Sequence, residues 1–154
     1  QYLFLDQVNK RVLLVEDSIV IQKTTSRSLT KEGYIVDIAR NGLECLQMVK
    51  LHEYSFILMD IQMPLMDGIE ATKKLRELER NEVEQEKINN SNINHSSEPS
   101  TTFLLDSMEC GDLEKKSKKE PYKKHIIIGI SANSDNVTKQ DALASGMNDF
   151  LSKP

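Results

Sequence analysis

No run of apolar residues in this chain approaches the roughly 18 that a membrane span needs, so no membrane contact is expected of this segment. The opening residues, QYLFLDQVNK, have neither the basic stretch nor the small-residue cleavage site of a signal peptide. They also lack an initiator methionine, and the chain is expected to be a piece of a longer protein. Cysteine is scarce. Cys45 and Cys110 stand far apart, without metal-ligand spacing, and the expectation is reduced thiols in a cytoplasmic protein. The histidines, His52, His95 and His125, are equally scattered, so a zinc site is not expected. Positive charge is not in excess either. Lys+Arg 20 against Asp+Glu 24 gives a net charge of -4, which argues against direct nucleic-acid binding.

What is present is a rhythm. The 154 residues suffice for one domain with a sizeable core. Val12 to Val15, Tyr34 to Ala39, Phe56 to Met59, His125 to Ser131 and Asp149 to Ser152 read as short buried strands. Between them, helical patterns run from Ile19 to Glu32, from Leu43 to about Leu51, from Ile69 to Leu78 and up to Ser145. Ser18 is placed to cap the first helix, and Asp135 or Asn136 the fourth. Gly33 and Gly146 are placed to stop these two helices. Strands alternating with helices indicate a parallel α/β sheet covered on both faces.

Residues 81–124 break this rhythm. NNSNINHSSEPSTT reads as disordered, Phe103 to Met108 as a short helix or docking motif at most, and KKSKKEPYKK as a solvated linker. The segment is read as a surface insertion of roughly forty residues between the third helix and fourth strand. Residues 1–10 are read as a linker and 11–154 as the domain.

In such sheets ligands bind beyond the carboxyl ends of the strands. Glu16, Asp17, Asp60, Ser131 and Lys153 all fall there, although a hundred residues and more separate the first from the last. Asp60 alone is either a reactive group in a phosphate-handling site or an ordinary loop-starting acid, and Glu16-Asp17 alone could be a helix-start acid pair. Together the three carboxylates would repel one another unless a cation intervenes. Carboxylates with open positions suit Mg2+, which keeps waters and takes phosphate oxygens. Ser131 adds a hydroxyl and Lys153 a point charge, which completes what phosphoryl transfer to a carboxylate requires.

The motifs VEDS, MDIQMPLMDG, GISA and FLSKP, in that order, resemble a response-regulator receiver domain of two-component phosphorelays, in the style of those fused to hybrid histidine kinases. The likeness runs from Arg11 to about Arg80 and from His125 to Pro154. It implies a flavodoxin-like, doubly wound parallel sheet of order 2-1-3-4-5. It implies that Asp60 accepts a phosphoryl group from a phosphohistidine-bearing kinase or phosphotransfer domain, so that the domain catalyses its own aspartyl phosphorylation. By the same resemblance Asp17 binds Mg2+ directly, Glu16 through water, and the Gln62 backbone carbonyl adds a ligand. Ser131 and Lys153 hold the phosphoryl oxygens, Phe150 is the aromatic switch near the fourth helix and fifth strand, and Lys153-Pro154 matches a bond that is usually cis.

Two departures stand out. One is the insertion. The other is that the chain stops before a fifth helix, so that part of the sheet and the first helix are expected to be exposed and the melting temperature to rise when the native continuation is added. Two other functions fit less well. A pseudo-receiver, an interaction module without phosphorylation, would have lost Asp17, Asp60 or Lys153. A Mg2+-dependent aspartyl hydrolase commonly has a second acid two residues after the nucleophile, where Gln62 stands.

Overall fold

The structure, a computed structural model, describes residues 10–92 and 124–153. Five strands form one parallel sheet: β1 (Arg11–Val15), β2 (Ile35–Ala39), β3 (Ile57–Asp60), β4 (Ile127–Ser131) and β5 (Asp149–Ser152), in the order β2-β1-β3-β4-β5. The helices are α1 (Ile19–Lys31), α2 (Gly42–Leu51), α3 (Gly68–Asn92) and α4 (Asn136–Ala144). The expected sheet order and the alternation of elements are both present.

The side-chain alternation of the strands sorts the core. Leu13, Val15, Ile57, Met59 and Ile127 pack with Cys45 of α2, Ala71 and Leu75 of α3, and Ala142 of α4. Each such aliphatic contributes about 1.5–3 kcal/mol by leaving water. Met59, Met66 and Met63 belong to this packing or lie against it. Val12 and Leu14, of opposite parity, are fully buried on the other face. Along that second face Leu151 is 50% exposed. On α1 itself, Ile19 and Val20 are open to solvent.

The helix ends are chemically specified. Asn41 Oδ1 accepts the Glu44 amide at 2.9 Å, and Glu44 Oε2 accepts the Arg40 amide at 2.7 Å. Asp135 Oδ1 accepts the Thr138 amide at 2.7 Å, and Asp67 Oδ1 the Glu70 amide at 2.8 Å. Ser18 occupies the cap position of α1, but its side chain makes no capping bond, contrary to expectation. Glu16 Oε1 instead accepts the Ser18 amide at 3.1 Å, which holds the turn ahead of the helix rather than capping its first turn.

The third helix is longer than its apolar pattern predicts. It runs past the expected boundary near Asn81 to Asn92. Its second part, rich in Glu, Gln and Lys and without Gly or Pro, has helix propensity but no apolar stripe, so no hydrophobic periodicity marks it as helix. The expectations for residues 93–123, and for the Lys153-Pro154 bond, lie outside the described residues.

Arg76 of α3 ties the far edge of the sheet domain together. It is 8% exposed. Its guanidinium donates to Gly146 O at 2.9 and 2.8 Å, to His125 O at 2.8 Å and to Asn148 Oδ1 at 2.9 Å. Asn148 Oδ1 also accepts the Ile127 amide at 2.9 Å, so one charge organises the entry to β4 and the α4–β5 turn. Gly146 sits there at φ 110°, beneath the Arg76 stem. Replacing Arg76 with Met keeps much of the packing but removes the charged donor from three acceptors, of which Asn148 Oδ1 keeps the Ile127 amide. It is expected to cost about 3 kcal/mol, seen as a lower urea midpoint at unchanged m. A loss below about 0.5 kcal/mol, the usual range for unremarkable surface changes, would contradict this account of Arg76.

Candidate functional site at the carboxyl edge of the sheet

Strand register builds the site. Val15 pairs with Met59, so the next residue of each strand, Glu16 and Asp60, emerge side by side. Asp60 pairs with Ile130, which puts Ser131 one position beyond, and Ser131 pairs with Ser152, immediately before Lys153. Lys153 N donates to Ser131 O at 2.8 Å. The lysine stem then crosses β4, placing Nζ 3.0 Å from Glu16 Oε2 and 3.2 Å from Asp60 Oδ2.

Glu16, Asp17 and Asp60 converge so that one carboxylate oxygen from each lies within 4.8 Å of the others. Glu16 and Asp60 are buried, while Asp17 is exposed. An open cleft of about 480 Å3 lies beside them, lined by Asp17, Ile61, Gln62, Met63, Pro64 and Asp67. Gln62 thus flanks Asp17, and its amide lies 3.3 Å from Asp60 Oδ1. Ser131 is 1% exposed, and its Oγ accepts the Asn133 amide at 3.1 Å. Phe150 is not in the cleft. It lies in mid-β5, beside Gly129, with its ring half-buried against the core.

Electrostatics set the character of the site. Burial, and then the neighbouring Glu16, push the Asp60 carboxyl up to about 6, while Lys153 pulls the other way. Burial works against the Lys153 charge, but Glu16 and Asp60 outweigh it and hold the ammonium above its ordinary value. One lysine therefore serves two buried acids with Asp17 nearby. Glu16 Oε2 faces the lysine as an ion pair yet makes no hydrogen bond. A buried carboxylate oxygen left so, together with an all-oxygen donor set, fits a hard divalent cation such as Mg2+.

The loop after β3 is shaped by contacts the sequence does not announce. Gly68 is needed for close approach rather than for an unusual backbone angle. A Cβ there would lie 2.2 Å from Asp60 O, and the Gly68 amide donates to Ile61 O at 3.0 Å. Leu65 has φ 68°, a left-handed backbone in a branched residue, and is 81% exposed. Asp67, which caps α3 and lines the cleft, was not among the expected site residues. Its position just before a helix-opening glycine was the available signal.

A strand-end acid cluster opposed by one lysine, on a 2-1-3-4-5 parallel sheet, defines a response regulator receiver domain. The chain belongs to that family, whose pattern matches residues 12–85. It is 40% identical over 94% of its length to hybrid signal transduction histidine kinase B of Dictyostelium discoideum, of which it spans 6%. It therefore corresponds to a small part of that relative. Among solved structures it resembles the receiver domain of Saccharomyces cerevisiae Ssk1, crystallised with the histidine phosphotransfer protein Ypd1. The TM-score is 0.68 at 28% identity, covering 94% of this chain and 78% of that one. The receiver domain of the Pseudomonas aeruginosa sensor histidine kinase PA1611, solved with a magnesium ion in its active-site cleft, gives a TM-score of 0.61 at 25% identity, covering 94% and 84%. No described helix is long and apolar enough to cross a membrane.

The raised carboxyl of Asp60 makes a signed prediction for the metal-free chain. The folded state holds its proton more tightly than the unfolded chain does. Stability therefore falls as pH climbs from the unfolded value of 3.8 through about 6, and the penalty is complete above that. Asp60→Asn removes it and should stabilise the chain in EDTA by about 1–3 kcal/mol near neutral pH, with little effect at about pH 4. Chemical denaturation of both proteins at the two pH values checks this. Destabilisation by Asn at neutral pH would be the opposite result.

Proposed function

We propose that this domain is the aspartyl phosphoacceptor of a phosphorelay, with Asp60 as the nucleophile. The observation that carries this reading is the convergence of Glu16, Asp17 and Asp60 around one lysine, with an open cleft alongside. One Asp60 oxygen attacks the phosphorus of a phosphohistidine. The P–N bond breaks, its electron pair stays on the imidazole, and a mixed anhydride forms on Asp60. At neutral pH Asp60 is mostly ionised, hence competent to attack, and its raised pKa marks its charge as costly where it stands. Lys153 moves its ion pair from the carboxylate to the transferred group, and the Ser131 hydroxyl donates to a phosphoryl oxygen.

Asp17, Glu16 and the Gln62 carbonyl would hold Mg2+, which neutralises charge developing on the phosphoryl oxygens when it is bound. Both the acid cluster and the magnesium in the cleft of the PA1611 receiver domain support that assignment. Drawing Ser131 toward the new phosphate would release its bond from the Asn133 amide and open space beside Phe150. This is how the change would reach the α4–β5 surface.

The donor is a phosphohistidine on a kinase or phosphotransfer protein, as suggested by the Ssk1 receiver with Ypd1. The rim suits a protein donor. Ile19 and Val20 directly follow the acid turn and are 64% and 74% exposed, and Leu65 stands on the cleft loop. A donor histidine must come within bonding reach of Asp60, so these apolar side chains would be covered in the complex. The parent is proposed to be a larger signalling protein, of hybrid-kinase or response-regulator type, in the cytoplasm. The alternative of a phosphorylation-independent interaction module is disfavoured because the acceptor, acid and lysine set is complete.

Acetyl phosphate with Mg2+ should label the chain with one alkali-labile phosphoryl group, absent in Asp60→Asn. Leu65→Glu should leave that labelling intact and slow transfer from a phosphorylated phosphotransfer protein by about tenfold or more, the effect of losing one apolar interface contact. Labelling that persists in Asp60→Asn would overturn the assignment.

A further inference from the structure

The polar side chain that α1 buries is Gln22, 9% exposed. An aliphatic residue is the ordinary occupant of such a place. Its amide nitrogen donates to the backbone carbonyl of Glu16 at 2.7 Å, an assignment of nitrogen rather than oxygen fixed by the carbonyl's inability to donate. The strand ladder does not supply that bond. β1 ends at Val15, and the last contact Glu16 makes with a neighbouring strand is its amide donating to Ala39 O at 3.0 Å. Beyond that point the chain turns sharply into α1 without help from the Ser18 side chain. Two bonds hold the turn: Glu16 Oε1 with the Ser18 amide, and Gln22 with the Glu16 carbonyl. The second oxygen of Glu16 is left pointing at Lys153 and Asp60.

We propose that Gln22 is a positioning residue for the cation site. Its amide fixes the backbone from which Glu16 and Asp17 project, and so sets the spacing of these acids from Asp60. The inference rests on reading the acid cluster as the Mg2+ site. Gln22 touches neither the cation nor the phosphoryl group. Its effect should appear in metal affinity and disappear when metal saturates.

Titration calorimetry of Mg2+ into the wild-type chain, Gln22→Met, Gln22→Leu and Gln22→Arg tests this, with melting in EDTA as the control for folding. Met and Leu remove the donor, whereas Arg restores one. Met and Leu are expected to weaken Mg2+ binding by about tenfold, at the lower end of what loss of an outer-sphere partner does, with Arg within about twofold of wild type. Labelling of Asp60 by acetyl phosphate should be slow in Met and Leu at limiting Mg2+ and should recover at saturating Mg2+. Wild-type affinity in the donor-free variants would overturn the proposal. So would an Arg variant as weak as Met, labelling that fails to recover, or unfolding of both donor-free variants in EDTA, which would make Gln22 a folding residue. A folded wild-type chain that binds no Mg2+ removes the metal reading itself, and this inference with it.

Discussion

The whole domain turns on an electrostatic imbalance. Two buried carboxylates and a third exposed one share a single ammonium at the end of a hydrophobic sheet. Burying like charges is costly, and the cost grows as water is excluded. Packing alone would favour apolar residues here. The fold tolerates the acids because Leu13, Val15, Ile57, Met59 and Ile127, directly behind them, supply a rigid apolar platform. That platform holds the acids where a cation could relieve the repulsion.

The surrounding structure can be understood as support for this arrangement. Parallel register delivers Glu16, Asp60, Ser131 and Lys153 to one edge with no loop longer than a turn between strand and site. Gly68 allows the β3–α3 loop to fold back against the Asp60 carbonyl. The acid turn is fastened to α1 by Gln22, and the opposite corner of the domain is fastened by Arg76. Lys153 is the adaptable member. Its stem reaches across β4, so its ammonium serves two carboxylates from different strands without moving its own.

Much of this was legible in the sequence, for physical reasons. Buried parallel strands write themselves as short apolar runs, and strand-end residues are chemistry-bearing by topology, so Glu16, Asp17, Asp60, Ser131 and Lys153 could be placed on one edge. β5 matched to the residue. Three features were not legible. The α3 extension to Asn92 lacks an apolar stripe, so periodicity is silent about it. The role of Gly68 depends on a contact with Asp60 O that no local pattern encodes. Ser18 stands at the cap position of α1 without a capping bond, and the Glu16 carboxylate holds the Ser18 amide instead, a contact that no local pattern encodes. Arg76 and Gln22 were missed for a related reason. Apart from Asn148 Oδ1, their acceptors are backbone carbonyls, and a carbonyl has no sequence signature.

Burial and the neighbouring Glu16 make the Asp60 charge costly in the metal-free chain, a cost that a bound cation would relieve. Titration of the Asp60 carboxyl carbon by NMR, with and without Mg2+, tests this most directly. The account predicts a midpoint near 6 in the metal-free chain, falling well below that when Mg2+ is present. An Asp60 that titrates like an ordinary surface aspartate, unmoved by Mg2+, would contradict it.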